Sequence, residues 1–169
     1  NVLSMYRTPP GNHARGHLNQ RQIDIIREEV LPVLTRQVFT DIGMITPYRD
    51  QAAAIRKQLG DNWEVATVHK FQGREKEAIV LTSVDNVIGD FTDDPNLLNV
   101  AVSRAVKSLT VVISDSEENR KTNYGDLARY MEYQNCQIVD SKVYSVFDML
   151  YKCYDAQRRR YLKAHKRVS

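Results

Sequence analysis

Two apolar runs place the tightest limit on what this chain can become. Ala78-Ile79-Val80-Leu81, continued by Val84, is almost free of polar side chains, and Leu109 to Ile113 is a second run of the same kind. A strand with one wet face alternates apolar and polar residues. A nearly continuous run belongs in a parallel sheet covered on both faces. Val65, Ala66 and Val68 mark a third strand over 64–68, Ile42, Met44 and Ile45 a fourth over 41–46, and Val2 to Tyr6 a first strand that Thr8-Pro9-Pro10-Gly11 stops. Helical spacing fills the gaps. Ile23, Ile26 and Val30 recur within 19–31; Ala52, Ile55 and Leu59 follow the 41–46 strand; Leu97, Leu98, Ala101, Val102 and Ala105 precede the 109–113 strand and should face the core. The expected fold is α/β, a mostly parallel sheet with helices on both faces.

The loops of this framework carry the chemistry. In open parallel sheets ligands bind beyond the carboxyl ends of the strands, so His69 to Glu75 should sit there. Gly73 permits close approach of backbone to a ligand, or a left-handed turn. Glu75 offers acceptors suited to ribose hydroxyls, and Thr67, His69 and Lys70 offer donors suited to phosphodiester oxygens. The alternative is an ordinary turn of charged, solvent-facing residues. Thr46-Pro47-Tyr48-Arg49-Asp50-Gln51 opens the next helix. Pro47 suits its first turn. Tyr48 presents a π-face suited to a base, or it packs as a rim aromatic on the next strand. Asn96, after Pro95, reads as the cap of the 97–105 helix. Arg104, off or at the edge of that helix's apolar face, is either a solvated cation or a group that stabilises a transferring phosphoryl. Asn19 reads as a helix cap, with Gln22 in the position of a capping box.

Thr67-Val68-His69-Lys70-Phe71-Gln72-Gly73-Arg74-Glu75-Lys76, followed after the apolar run by Leu98-Asn99-Val100-Ala101-Val102-Ser103-Arg104-Ala105, resembles motifs V and VI of superfamily 1 helicases. The resemblance is to the 1B branch, which includes the nonsense-mediated decay helicase. It covers residues 40–114 strongly, 1–39 weakly and 115–169 hardly at all. It implies a RecA-like domain, the second of two that clamp ATP between them while moving along single-stranded DNA or RNA, in the 5′-to-3′ direction. It implies Arg104 as the arginine finger, Gly73, Arg74 and Glu75 as ATP contacts, and Thr46, Pro47, Tyr48, Thr67 and His69 as nucleic-acid contacts. Tyr6-Arg7 lacks the preceding glutamine of another finger motif of the family, and that finger is expected outside this chain.

The sequence contains no Gly-Lys pair and no Asp-Glu pair, so it has neither a phosphate-cradling lysine loop nor the usual magnesium carboxylates. A finger without a cradle implies a first RecA-like domain elsewhere in the same polypeptide. ATP and Mg2+ are then expected in the complete protein and not on this chain alone. The alternative is a RecA-like module that binds nucleic acid or a partner without ATPase activity.

The chain has 169 residues and opens on Asn1, as a fragment or processed chain would. No apolar run approaches the length of a membrane span, and no signal peptide is visible; an intracellular protein is expected. Cys136 and Cys153 have no zinc spacing and read as reduced thiols, and no metal site is expected from the acids of 85–94. The expected division is a helicase domain over 1–114 and a mostly helical extension over 115–169, with a helix near 124–134, a strand near 137–139 and a long helix over 143–166. Net charge is +3, but the residues from Lys152 onward carry +6, which leaves −3 for the rest. The basic end reads either as a solvated helix end or as a set of phosphate contacts.

Overall fold

The computed structural model describes residues 2–11, 14–60, 62–71, 74–143 and 146–166. Six strands form one sheet in the order β5-β4-β6-β7-β1-β8. These are β1 (Val2–Thr8), β4 (Ile42–Thr46), β5 (Glu64–Thr67), β6 (Lys76–Thr82), β7 (Ala105–Ser114) and β8 (Gln137–Asp140). Every pairing in it is parallel. A separate two-stranded ribbon, β2 (Ala14–Arg15) with β3 (Leu18–Asn19), is antiparallel.

Both faces of the sheet are buried, as the continuous apolar runs require. Ala78 and Val80 of β6 and Val112 of β7 face a cluster with Ile23, Ile26, Leu34, Ala52 and Ile55. Ile79 and Leu81 of β6 and Leu109, Val111 and Ile113 of β7 face a second cluster with Phe71, Leu97, Ala101, Tyr124 and Met131. The first cluster is covered by α1 (Gln20–Ile25), α2 (Leu31–Arg36) and α3 (Arg49–Leu59), the second by α4 (Pro95–Arg104) and α5 (Asn123–Tyr133). α6 spans Val146–Lys166, and its residues 157–164 are exposed. Among the described residues no helix is long and apolar enough to cross a membrane.

Several local expectations are corrected. The helix expected over 19–31 continues to Arg36, through a π-helical turn at Ile26–Val30. Pro32 lies just beyond that turn; it has no N–H to give the preceding turn, and a widened turn accommodates the missing bond. Asp94, not Asn96, caps α4: its carboxylate accepts the Asn96 N–H at 3.0 Å, and Pro95 takes the first helical position, where a missing N–H costs nothing. Val102 is 46% exposed, on the outer side of α4. Pro47 precedes α3 rather than entering it, because Tyr48 keeps the extended conformation of an N-cap. Beyond residue 114 the chain supplies β8, the sixth strand of this sheet, and two fully buried core side chains, Tyr124 and Met131.

A buried polar knot ties the first helical layer to the sheet. Asn19 caps α1 through the Gln22 amide, as its sequence position suggests. The reciprocal half of the capping box does not form. The Asn19 amide instead donates to Gln51 Oε1 at 2.9 Å, and Gln22 Oε1 accepts from the Val84 amide at 3.0 Å and from the Thr82 hydroxyl. Asn19 Nδ2 donates to the Val84 carbonyl at 2.7 Å. Val84 needs this grip. Its φ of 66° is unfavourable for a β-branched residue, and the Asp85 amide closes a three-residue turn onto the Ser83 carbonyl at 2.7 Å. Gln51 is fully buried in the same knot, which removes it from the side chains able to reach a ligand.

Candidate nucleotide and nucleic-acid sites

The residues singled out in the sequence fall at two opposite ends of the sheet. Thr46 of β4 and Thr67 of β5 are register partners at the carboxyl ends of their strands. Lys76 of β6 and Ala105 of β7 are register partners at the amino ends, so Glu75 and Arg104 each stand one residue before a paired position. β6 has seven residues, which at about 3.3 Å each puts about 20 Å between the two ends.

Arg74 and Glu75 are therefore not beyond the carboxyl ends, where the sequence placed the whole loop. β5 and β6 both run parallel to β4, which lies between them, so the chain must travel back to the amino edge before β6 begins. It returns in eight residues, 68–75, and the described ones among them form turns and irregular chain. Phe71 is fully buried in the middle of this crossover. It lies over Gly43 of β4, where a Cβ would come within 2.4 Å of the ring. Gly43 has no side chain because the crossover occupies that space.

At the amino end, Arg74 is bound to Glu64 at 3.0 Å and Lys76 bridges Glu64 at 2.8 Å and Asp41 at 3.0 Å. The Glu64 hydrogen bond, opposed by partial burial, holds the Lys76 pKa above its ordinary value. Glu75 is exposed. Arg104 is half-buried at the end of α4, and its Nε is buried with no hydrogen-bond partner among the described residues. Gly73 lies outside the described residues, as does Gln72.

At the carboxyl end, Pro47, Tyr48, Thr67 and His69 line one open cleft of about 890 Å³. Thr46 does not reach it. Its side chain is fully buried, and its hydroxyl accepts the Tyr48 amide at 3.3 Å, which shapes the turn into α3. Thr67 holds the following turn through its carbonyl, which accepts the Lys70 and Phe71 amides, both at 3.0 Å. Tyr48 is not an open platform. Its ring stacks on His17, with centroids 4.0 Å apart and planes 7° from parallel, and on Phe91, at 5.5 Å and 22°. Its hydroxyl donates to Asp85 at 3.1 Å, and Thr92 donates to the same carboxylate at 2.7 Å. Burial, followed by the nearby Asp85 charge, raises the Tyr48 pKa, and the adjacent Thr92 hydroxyl lowers it. His17, Phe91, Arg49 and Lys70 also line the cleft. Sequence reading passed over His17 and Phe91. The available signal was an aromatic set among the acids of the 85–94 loop.

The sequence profile of an AAA domain family matches residues 6–117. The chain belongs to this family, as the C-terminal RecA-like domain of a superfamily 1 helicase. It is 35% identical over 127 residues to an ATP-dependent helicase of Caenorhabditis elegans, covering 75% of this chain and 8% of that protein. It is 31% identical over 137 residues to a regulator of nonsense transcripts 1 homologue of Arabidopsis thaliana, covering 72% of this chain and 11% of the relative. It is 41% identical over 117 residues to the DNA polymerase alpha-associated DNA helicase A of Schizosaccharomyces pombe, covering 66% and 17%. This helicase domain thus spans less than a fifth of each of these relatives. The fold is similar to the crystal structure of the C-terminal domain of a possible DNA helicase from Lactobacillus plantarum, with a TM-score of 0.55 at 17% identity, covering 74% of this chain and 83% of that one.

Proposed function

We propose that this chain is the C-terminal motor domain of an ATP-dependent helicase or translocase. It acts inside the cell, on single-stranded DNA or RNA, together with a first RecA-like domain of the same polypeptide. The observation that carries this reading is the Arg104 guanidinium, held half-buried at the amino end of the sheet with its Nε unpartnered among the described residues. Burying a charged donor without an acceptor is costly, and an anionic phosphoryl oxygen supplies the missing acceptor. A finger in this position stabilises charge developing on the γ-phosphoryl oxygens as the bond to the leaving phosphate breaks.

Glu75, exposed at the same end, accepts from the ribose hydroxyls. Arg74, kept in place there by Glu64, and Gly73 complete the nucleotide contacts. The phosphate cradle and the magnesium carboxylates belong to the first domain. At the opposite end, Thr67 and His69 donate to strand phosphates, with Pro47 and Tyr48 forming the rim.

Replacing Arg104 by Ala in the complete protein tests the reading. ATP turnover should fall about 10³-fold or more while ATP affinity changes little, because a finger acts mainly in the transition state. Turnover near the wild-type rate would remove Arg104 from the mechanism.

A further inference from the structure

The aromatic ladder at the mouth of the cleft goes beyond the phosphate contacts assigned so far. We propose that His17 and Phe91 are base-stacking platforms for single-stranded nucleic acid, and that Tyr48 is the positioning ring between them. The inference rests on the helicase reading for its ligand class, but its residues come from the geometry alone.

Three observations converge. His17, Tyr48 and Phe91 form one run of near-parallel rings, and the first spacing, 4.0 Å, is that of stacked aromatic rings in contact. Tyr48 is fixed within it: its hydroxyl is held by Asp85, which is held in turn by Thr92, and the Asp85 backbone closes the turn that the Asn19–Gln22 knot clamps at Val84. The ladder is therefore set before any ligand arrives, and ordering it costs little at binding.

The two other rings reach solvent. Phe91 is 61% exposed and His17 is exposed, although Phe is an expensive side chain to leave in water. An aromatic face open at the mouth of the cleft suits a flat ligand.

The surrounding charge selects the class of that ligand. Arg49 and Lys70 are exposed and line the same cleft, whose lining includes one acid, Asp50; Asp85, tied up by Tyr48 and Thr92, and Asp90, next to Phe91, lie on the adjoining loop. Flat rings flanked by cations match a single strand, whose bases stack while its phosphates take the cations. Stacking of this kind tolerates any base, since every base has a π-face. The platforms should therefore hold a moving strand without reading its sequence.

The test uses the complete protein and two labelled probes, a thymidine and a uridine oligonucleotide, each also made with abasic residues and with 2-aminopurine. Phe91→Ala should weaken binding of the intact oligonucleotides by roughly five- to hundredfold, and His17→Ala should act in the same direction. Phe91→Trp should retain affinity. Phe91→Leu, apolar but not aromatic, should behave like the Ala variant. Wild-type protein should lose affinity for the abasic probes and change 2-aminopurine fluorescence on binding; Phe91→Ala should reduce both effects, and the double variant His17→Ala/Phe91→Ala should show neither. Unchanged melting temperatures are expected, because Phe91 is largely exposed.

Wild-type binding that is equally tight in Phe91→Ala, Phe91→Leu and His17→Ala overturns the platforms and leaves the helicase reading standing. Loss of affinity with full retention by Phe91→Leu, or without abasic sensitivity, overturns stacking in favour of an apolar protein contact. A complete protein that binds neither oligonucleotide overturns both readings.

Discussion

Gly43→Ala is a single-methyl change whose cost follows from the packing of the crossover. A Cβ at this position would lie 2.4 Å from Phe71 Cζ, 3.0 Å from Lys76 Cγ and 3.1 Å from Ile79 Cδ1. Carbon pairs prefer about 3.5–4.0 Å, so the Phe71 ring has to retreat by about 1 Å. It has no room, being fully buried among Ile45, Ile79 and Leu109. Overpacking of this kind costs about 1–3 kcal/mol. The reduced freedom of the unfolded chain opposes it by about 0.4–1 kcal/mol. The net expectation is a loss of about 1–2 kcal/mol. Urea unfolding followed by the fluorescence of Trp63, the only tryptophan and partly buried against the core, measures it. Phe71→Leu alone should also destabilise, and the double variant should be better than the sum of the two by about 1 kcal/mol, since the smaller side chain admits the methyl. Strict additivity, or a Gly43→Ala variant as stable as the parent, would refute the picture of a crossover laid against bare β4 backbone.

Gln22→Ala should cost about 2–4 kcal/mol in the same assay, because it leaves buried Thr82 and Val84 donors without an acceptor and releases a strained turn. Tyr124 is fully buried with its hydroxyl unpartnered among the described residues, and burial pushes its pKa above the ordinary value. An unfolded tyrosine ionises near pH 10 while the folded one stays protonated, so stability should fall as pH rises above about 10; Tyr124→Phe should flatten that alkaline limb and be neutral or stabilising at pH 7. This chain alone should show negligible ATPase activity, and robust turnover unaffected by Arg104→Ala would contradict the assignment. Truncation after Ala156 should change single-strand affinity only slightly, whereas loss of a phosphate contact at Lys70 should lower the salt slope by about one, both read by salt-titrated binding.

Much of the framework was legible because the runs at β6 and β7 admit one explanation, burial on both faces. The caps were half legible. Asn19 was readable from its type, but the partner of Gln22 was not, because Val84 is 62 residues away and only the fold brings it close. Val102 fits the apolar spacing of α4 yet faces outward, since a helix packed on one side of a sheet buries a narrower stripe than its pattern offers. The site suffered most from what a sequence omits, which is strand order. Placing β4 between β5 and β6 sends Arg74 and Glu75 to the far edge. Tyr48 was read as a base platform or a rim aromatic, but its stacking partners were not legible, because they come from the ribbon and from the 85–94 loop, on either side in sequence.

The crossover over Gly43 also decides how the two ends of the sheet can communicate. One short segment carries His69 and Lys70 at the cleft and Arg74 and Glu75 at the other edge, so it looks like a wire between them. Phe71 makes it something else. A ring wedged into a close-packed interior is an anchor, and a tug on Lys70 is stopped there before it reaches Arg74. Coupling between the two ends is then expected to travel as movement of the sheet as a whole rather than along the strap.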